Sequence, residues 1–503
     1  MTSIKTGLLA GLISVGLAAC SSAPTPPPQP VDIAITNVTV IDPGSNTVTP
    51  QQTVLVTGSQ IVAVLNAGSG RFSADETIDA TGKYLIPGLM DMHVHTSIKQ
   101  VLDPSLKLML ANGVTGVRDM SADCWEPRGE LFLCIDEMRT IAAEIEAGDR
   151  IGPRYLKLSS SFVQSDKTGR LPDNHDPKYT PITREDGVVI AAYLDERGVD
   201  LIKLYHAIFH DAFAGLMEEA NRRGIEVSGH VPLLDGATAA SNAGVRTFEH
   251  AKEIVTDCSD YTVEYRAAMN AVLKGEEGAA WPKEADRVVG TIETFNADRC
   301  REMMQVFAAN NTYYVPTHGT REFDFRASEA DYQNNPNLRF IGAFQLGDWK
   351  NDLNRTAKAS PKGIELYRQF YDTGLTVTKI AFDNNVKVML GTDANDTMII
   401  PGFAVHEELE RLVAAGLSPM EALQAATSVP ADYVGMPGEI GRVAQGYRAD
   451  LVLLTADPLS DIRNTSTIES VIVGGIHNDR ASLDQMLSEV EQTAAASNKE
   501  TGE

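Results

Sequence analysis

Two histidines one residue apart, His93 and His95, close an apolar run in the order Pro87-Gly88-Leu89-Met90-Asp91-Met92-His93-Val94-His95. On a strand, residues i and i+2 share a face, so both imidazoles project together. Imidazole is the commonest side-chain ligand for a borderline divalent metal, and a pair on one face is half of a metal site. Alone, such a pair is a weak signal. Here other metal-capable groups end other apolar runs: His230 in Val227-Ser228-Gly229-His230-Val231-Pro232, His250 in Thr247-Phe248-Glu249-His250, and Asp393 in Met389-Leu390-Gly391-Thr392-Asp393. Lys203 stands near the end of a further run, Leu201-Ile202-Lys203-Leu204-Tyr205. An ammonium on an apolar strand is costly to bury, so its pKa should drop and leave a neutral, nucleophilic amine.

These side chains share a chemistry only if the fold brings the ends of distant runs together. Eight short apolar runs are expected as strands, at 84–94, 114–120, 154–160, 201–205, 225–231, 246–250, 313–317 and 386–392. Helical patterns lie between several of them, as at 184–197 and 210–223. Strand–helix alternation of this kind predicts an α/β fold with a (β/α)8 TIM-like barrel, in which catalytic residues come from the carboxyl ends of several strands. Residues 252–299 and 320–373 are longer than ordinary connections and are expected to be loop insertions over the active face. Short strands and turns at 31–68, such as Asp42-Pro43-Gly44 and Thr57-Gly58-Ser59, form a different texture that returns at 440–454 and 468–473. The expected organisation is a small β-sandwich built from both chain ends, 31–84 and 436–478, with the barrel, 85–435, inserted between them and a polar C-terminal tail at 479–503 that begins as a polar helix.

The 503 residues hold 43 Lys and Arg against 68 Asp and Glu, a net charge of -25. Binding of polyanions needs the opposite sign, so nucleic acid is excluded as a natural partner. Hydrophobic residues at 43% and charged residues at 22% are ordinary globular usage. The first residues read as an address. Lys5 precedes an apolar run at 7–19, too short to span a bilayer and suited to a signal sequence. The sequence Leu17-Ala18-Ala19-Cys20 resembles the lipobox of bacterial lipoproteins, which implies a signal peptide at 1–19 and lipid attachment at Cys20. A Pro-rich stretch up to residue 30 then reads as a spacer. The expected location is the cell envelope, at the periplasmic face of the outer membrane or the cell surface, with the membrane touched only through the lipid.

The whole set of motifs resembles the amidohydrolase superfamily, in the branch of imidazolonepropionase-like enzymes and metal-dependent dipeptidases. The resemblance rests on Gly88 to His95, Gly113-Val114-Thr115-Gly116-Val117-Arg118-Asp119, Ile202-Lys203, Gly229-His230-Val231-Pro232, Phe248-Glu249-His250, Gly391-Thr392-Asp393 and the segment Gly441 to Leu451. It implies two divalent metal ions, Zn²⁺ before Mn²⁺ or Fe²⁺. His93, His95 and Asp393 would hold the first, and His230 and His250 the second. Lys203, carboxylated by carbon dioxide, would bridge them as a carbamate. A hydroxide shared by the metals would attack a carbonyl carbon, and Asp393 would pass its proton to the leaving nitrogen. The implied reaction is cleavage of a C–N amide bond in a small peptide-like substrate: a dipeptide, an Xaa-Pro dipeptide or an N-acyl amino acid. The alternatives are a cyclic amide or imide hydrolase, a deaminase, and a binding module that has lost catalysis. All six ligand positions are filled, which argues for the enzyme.

Other residues have more than one reading. Asp119 either supports a metal-bound histidine, pairs with Arg118 or caps the following loop. Tyr205 either contacts substrate or packs as a core aromatic. Arg321 either binds a substrate carboxylate or is a surface charge. His206, His210 and His318 also lie near strand ends but stay outside the metal set. Beyond Cys20, four cysteines remain, and an oxidising compartment allows three pairings. Pairing within local segments favours Cys124 with Cys134 and Cys258 with Cys300.

Overall fold

In a computed structural model the chain is described over residues 28–124, 131–165 and 180–501. The lipid-attachment residue Cys20 and most of the Pro-rich spacer lie outside the described residues. The strands are β1 (Gln29–Asp42), β2 (Thr47–Thr57), β3 (Gln60–Asn66), β4 (Phe72–Asp79), β5 (Tyr84–Pro87), β6 (Leu89–Val94), β7 (Val114–Asp119), β8 (Arg154–Val163), β9 (Leu201–Leu204), β10 (Glu226–Gly229), β11 (Thr247–Glu249), β12 (Tyr313–Val315), β13 (Leu451–Leu454), β14 (Ile468–Val473) and β15 (Ile476–Asp479).

Strands β6 to β12 pair in sequence order, all in parallel, into a nearly closed seven-stranded barrel. Every residue of β6, β7 and β9 is buried. That is the pattern of strands covered by helices outside and packed against side chains inside. Helices Lys99–Ala111, Ile135–Ala147, Arg184–Glu196, His210–Arg223 and Ala237–Ala243 fill the crossovers. The first expected run divides at Gly88. Its first half, β5, pairs antiparallel with β13 in the other sheet, and only β6 enters the barrel.

The eighth expected strand, 386–392, is not a regular strand. It closes the ring through isolated bonds: Met389 N donates to Tyr314 O (2.9 Å), Met92 N to Leu390 O (3.0 Å) and Asp393 N to His93 O (2.8 Å). Only single bridges form on either side, Tyr314 with Val388 and Val94 with Ala394. Left-handed residues at both ends, Asn385 (φ 62°) and Asp393 (φ 68°), interrupt the extended geometry a ladder requires.

The second sheet draws on both chain ends, in the order β15-β14-β13-β5-β1-β2-β3, with β4 branching from β1. The expected sandwich is therefore one continuous sheet. Its first strand is 14 residues long and pairs β2 along one edge and β4 then β5 along the other, so the two halves never separate. Ile35, Val54, Ile61, Leu85, Leu451 and Ile472 form its apolar core. The two long insertions are helical rather than loops. Helices Ala251–Asp257, Tyr261–Leu273, Glu284–Glu293 and Ala297–Asn310 occupy the first, and Gly319–Arg326, Ala343–Thr356 and Pro361–Asp383 are the longer ones of the second. The structure pairs Cys124 with Cys134 and Cys258 with Cys300.

The expected polar helix is present as Arg480–Thr501, and it is docked rather than free. Leu483, Met486, Val490 and Ala494 recur at helical spacing on one face and are buried. This face packs on Lys99–Ala111, where Lys107 Nζ meets Glu489 Oε2 at 2.7 Å. The stripe is narrow, which is why the segment reads as polar overall. Leu483→Ala should lower stability in urea denaturation by about 2–5 kcal/mol, as for a buried leucine. A loss under about 0.5 kcal/mol would return the segment to an undocked tail.

Candidate metal centre

The carboxyl ends of the barrel strands open on a cavity of about 650 Å³, whose walls include His95, Lys203, Tyr205, His230, His250 and Asp393. His93 lies beneath it, fully buried. Asp393 is central. Its Oδ1 is 2.8 Å from His95 Nε2 and 3.3 Å from His93 Nε2, and its Oδ2 is 3.6 Å from His250 Nδ1. Lys203 Nζ lies 3.3 Å from His93 Nε2. The His250 ring stands 4.7 Å from that of His93 and 4.5 Å from that of His230, centroid to centroid. The structure thus brings all six sequence-derived ligand candidates into one group.

The backbone pays for this aim. His250 (φ 64°) and Asp393 (φ 68°) occupy the left-handed region, which is costly for side-chain-bearing residues and persists where surrounding bonds over-determine it. His250 N donates to Val315 O at 2.9 Å, and Asp393 N to His93 O at 2.8 Å. Glycine precedes two of the candidates for steric reasons. A Cβ on Gly229 would stand 2.2 Å from Leu204 O, and one on Gly391 would stand 2.4 Å from Val315 Cγ1 and 2.9 Å from His93 Cβ.

A second layer of bonds sets the ring orientations. Glu249, fully buried, accepts from Arg118 Nη2 at both carboxylate oxygens (2.8 Å each). With a guanidinium donating to both of its oxygens it acts as the acceptor, so the 2.8 Å contact with His93 Nδ1 places the proton on Nδ1. The lone pair of Nε2 is then left facing Asp393 and Lys203. Arg118 is itself held by Met92 O (2.6 Å), Thr247 Oγ1 (3.1 Å) and Tyr433 Oη (3.0 Å). His95 Nδ1 meets Ser121 Oγ and His250 Nδ1 meets Thr317 Oγ1, both at 2.8 Å. Asp119 caps the loops: it accepts from Ser121 N (2.9 Å), Thr96 N (2.8 Å) and Thr96 Oγ1 (2.6 Å). Among the described residues it has no hydrogen bond to an imidazole, and Arg118 pairs with Glu249 instead. Asp91 accepts from Thr392 N (2.9 Å) and Oγ1 (2.6 Å), pinning the residue before Asp393 to β6.

Electrostatics keep the ligand atoms available. Burial, with Lys203 second, holds the His93 imidazole well below its usual pKa, and burial does the same for His250 and, to a lesser degree, for His230. These rings are neutral, as ligation requires. Burial pushes the Asp393 carboxyl up, but His93, His250 and His95 together outweigh it and hold it well below the carboxylate range. Burial pushes the Lys203 amine down to about 8.

Two groups have ligand atoms within 4.8 Å of one another: His93, His95 and Asp393, and His206, His230 and Glu253. A third, Asp123 with Cys124 and Cys134, has its sulfurs committed to the disulfide. His230 Nδ1 and Glu253 Oε2 are buried with no hydrogen-bond partner among the described residues. Neutral imidazoles with lone pairs aimed at carboxylates fit a divalent metal. Glu253 escapes motif reading because it stands on a helix after its strand, although its spacing of three from His250 puts it one turn on. His206 lies against the Tyr205 ring, 4.5 Å away, and lines the cavity, so its exclusion from the site does not hold at the level of position. His210 is 73% exposed and pairs with Asp235, and His318 is buried against Thr378. Tyr205 stacks 4.3 Å from the His230 ring. Arg321 lines the cavity and pairs with Asp324 at 2.9 Å.

A parallel barrel with histidines, a lysine and an aspartate grouped at its strand ends has the architecture of a barrel hydrolase with a candidate metal site. The amidohydrolase family pattern matches residues 84–476, and the chain belongs to that family. It is similar to the adenine deaminase of Nitratidesulfovibrio vulgaris (strain DP4), 28% identical over 292 residues, 54% of this chain and 43% of that one. The chain thus spans less than half the length of this curated relative. A shorter stretch of 41 residues, 8% of this chain and 10% of the other, is 58% identical to the imidazolonepropionase of Rubrobacter xylanophilus. Among solved structures, bottromycin amidohydrolase aligns with a TM-score of 0.68 at 21% identity, covering 92% of this chain and 90% of that one. A Xaa-Pro dipeptidase with bound methionine aligns with a TM-score of 0.62 at 18% identity, covering 89% and 99%. At these identities the two structures share the fold.

If Glu249 sets the His93 proton, Glu249→Gln should weaken metal binding about 10–100-fold, the usual effect of removing such a support. Competition with a chromophoric chelator measures this. Affinity within about twofold of wild type would show that His93 is oriented by other means.

Proposed function

We propose that this chain is a metal-dependent amidohydrolase that cleaves the C–N amide bond of a small peptide-like substrate: a dipeptide, an Xaa-Pro dipeptide or an N-acyl amino acid. The observation that carries the proposal is the convergence of His93, His95, Lys203, His230, His250 and Asp393 on one cavity. His93, His95 and Asp393 would hold one divalent ion, and His230 and His250 a second. Zn²⁺ suits imidazole with carboxylate oxygen. Lys203 would lie between them as a carbamate. Its neutral amine adds to carbon dioxide and releases one proton, which turns a costly buried cation into an anionic oxygen ligand. When bound, the metals supply Lewis acidity that makes a water nucleophilic near neutral pH and polarises the scissile carbonyl.

The protein's own residues do the rest. Asp393 accepts the proton of the attacking water and delivers it to the leaving nitrogen, which is then expelled as a neutral amine. Its two oxygens reach both sides of the imidazole group, Oδ1 towards His95 and Oδ2 towards His250. Glu249 keeps His93 in one tautomer throughout. Tyr205 and Arg321 stand in the cavity wall as contacts for the substrate, Arg321 for a carboxylate. A cavity of about 650 Å³ suits a small ligand. The matched stretch of adenine deaminase favours a second reading within the same chemistry, attack on a ring carbon with loss of ammonia.

Chelator-treated protein, reloaded with Zn²⁺ and bicarbonate, should regain hydrolysis of a panel of dipeptides and N-acyl amino acids. Lys203→Ala should lose more than about 100-fold of it, since one ligand of both metals goes. No turnover of the panel with two metals per chain, or release of ammonia from adenine alone, would shift the assignment to the second reading. The proposal extends to location: a Cys20 lipid would hold the enzyme at the cell envelope. Cys20→Ala should then move the protein from the membrane to the soluble fraction, and an unchanged distribution would refute the anchor.

A further inference from the structure

In a dipeptide the α-amino group is one carbon away from the scissile carbonyl carbon. Whatever receives that group must therefore stand beside the imidazoles that flank the carbonyl. Glu253 is in that place. It lies in the first turn of Ala251–Asp257, three residues after His250, is 6% exposed, and contributes to the cavity wall. Its Oε1 is 3.9 Å from His230 Nδ1, beyond hydrogen-bond reach, and its Oε2 is buried with no donor among the described residues.

A buried carboxylate oxygen without a donor is among the most costly arrangements a protein keeps. Two mobile cations on the same cavity wall are committed elsewhere: Lys252 Nζ to Glu284 at 3.2 Å, and Arg321 to Asp324 at 2.9 Å. The Tyr205 ring, 4.3 Å from His230, adds a π face to the same corner.

We propose that Glu253 is the receptor for a free ammonium group on the substrate. The inference rests on the amidohydrolase reading and narrows it. The enzyme takes peptides with a free amino terminus in preference to N-acylated ones. Carboxylate at Glu253 then matches the ammonium end of a zwitterion. The rival occupant of the corner is a metal ion held by His206, His230 and Glu253, whose ligand atoms lie within 4.8 Å of one another.

The test uses the full-length, metal-loaded protein and two matched pairs of probes. The first pair is Ala-Pro and N-acetyl-Ala-Pro, read as kcat/KM. The second is a reduced Ala-Pro isostere, with CH2–N in place of CO–N, and its analogue with hydroxyl in place of the amino group. Neither of these is cleaved, and their binding is read by calorimetry. Wild type should favour the free amine by at least about 10-fold in both pairs, the size of one charge-assisted hydrogen bond. Glu253→Gln, which keeps the side-chain shape, should collapse both ratios while metal per chain stays at the wild-type value. A ratio that survives in Glu253→Gln overturns the proposal, and so does equal binding of the two isosteres to wild type. Loss of a metal equivalent in the variant also overturns it and assigns Glu253 to the metal. If wild type cleaves neither peptide, the amidohydrolase reading fails by itself, and the isostere pair still decides what Glu253 binds.

Discussion

The position of one proton underlies the whole site. His93 can offer a lone pair to the cavity only if its Nδ1 carries the hydrogen, and Glu249 fixes it there. Glu249 can do so because Arg118 donates to both of its oxygens in a fully buried setting. Each of the three residues comes from a different barrel strand: His93 from β6, Arg118 from β7, Glu249 from β11. A charge pair sealed away from water is not a source of net stability, but losing one partner strands the other at high cost. The barrel interior is thus constrained to this pairing, and the constraint is met in full: five donors of the guanidinium face Met92, Thr247, Tyr433 and Glu249. The function of the pair is orientation.

The cavity above it follows the same logic. Three imidazoles, two of them with pKa values driven down by burial, crowd one buried aspartate, and the set is complete only with positive charge among them. Local backbone strain at His250 and Asp393 aims the two residues that a regular strand end would turn aside. The irregular closure at 386–394 belongs to this picture. A regular eighth strand would leave no left-handed turn at Asp393, and Asp91 supplies through Thr392 the bonds that a ladder would otherwise provide. The loss of strand regularity and the placement of the central carboxylate are one feature.

Much of this was legible in the sequence, and the limits are physical. Each ligand candidate closes an apolar run, because a parallel barrel puts function at its strand ends. His93-Val94-His95, Gly229-His230, Glu249-His250 and Thr392-Asp393 could therefore be read in one dimension. The roles of Arg118, Glu249 and Asp91 could not. Each sits inside a motif, but its partner is 26 to 301 residues away in the chain, and no local spacing encodes that. Glu253 was hidden for a related reason: it lies in the stretch 252–299, whose sequence suggests a loop insertion and which folds as helices. The helix at 480–501 was legible but its docking was not, because four buried positions in a charged helix barely alter its composition. The single sheet in place of a sandwich turned on the length of β1, and strand boundaries are what periodicity gives least well.

Family membership and fold place the chain among barrel hydrolases, and the site adds which atoms are ready for metal and which for substrate. The central claim is that the neutral imidazoles and Asp393 form a metal centre bridged through Lys203. Anomalous diffraction from crystals grown with Zn²⁺ and bicarbonate tests it most directly. The account predicts a peak among His93 Nε2, His95 Nε2 and Asp393, a second beside His230 and His250, and added density on Lys203 Nζ. Zinc bound away from the barrel mouth, or a filled site with a bare Lys203 amine, would contradict it.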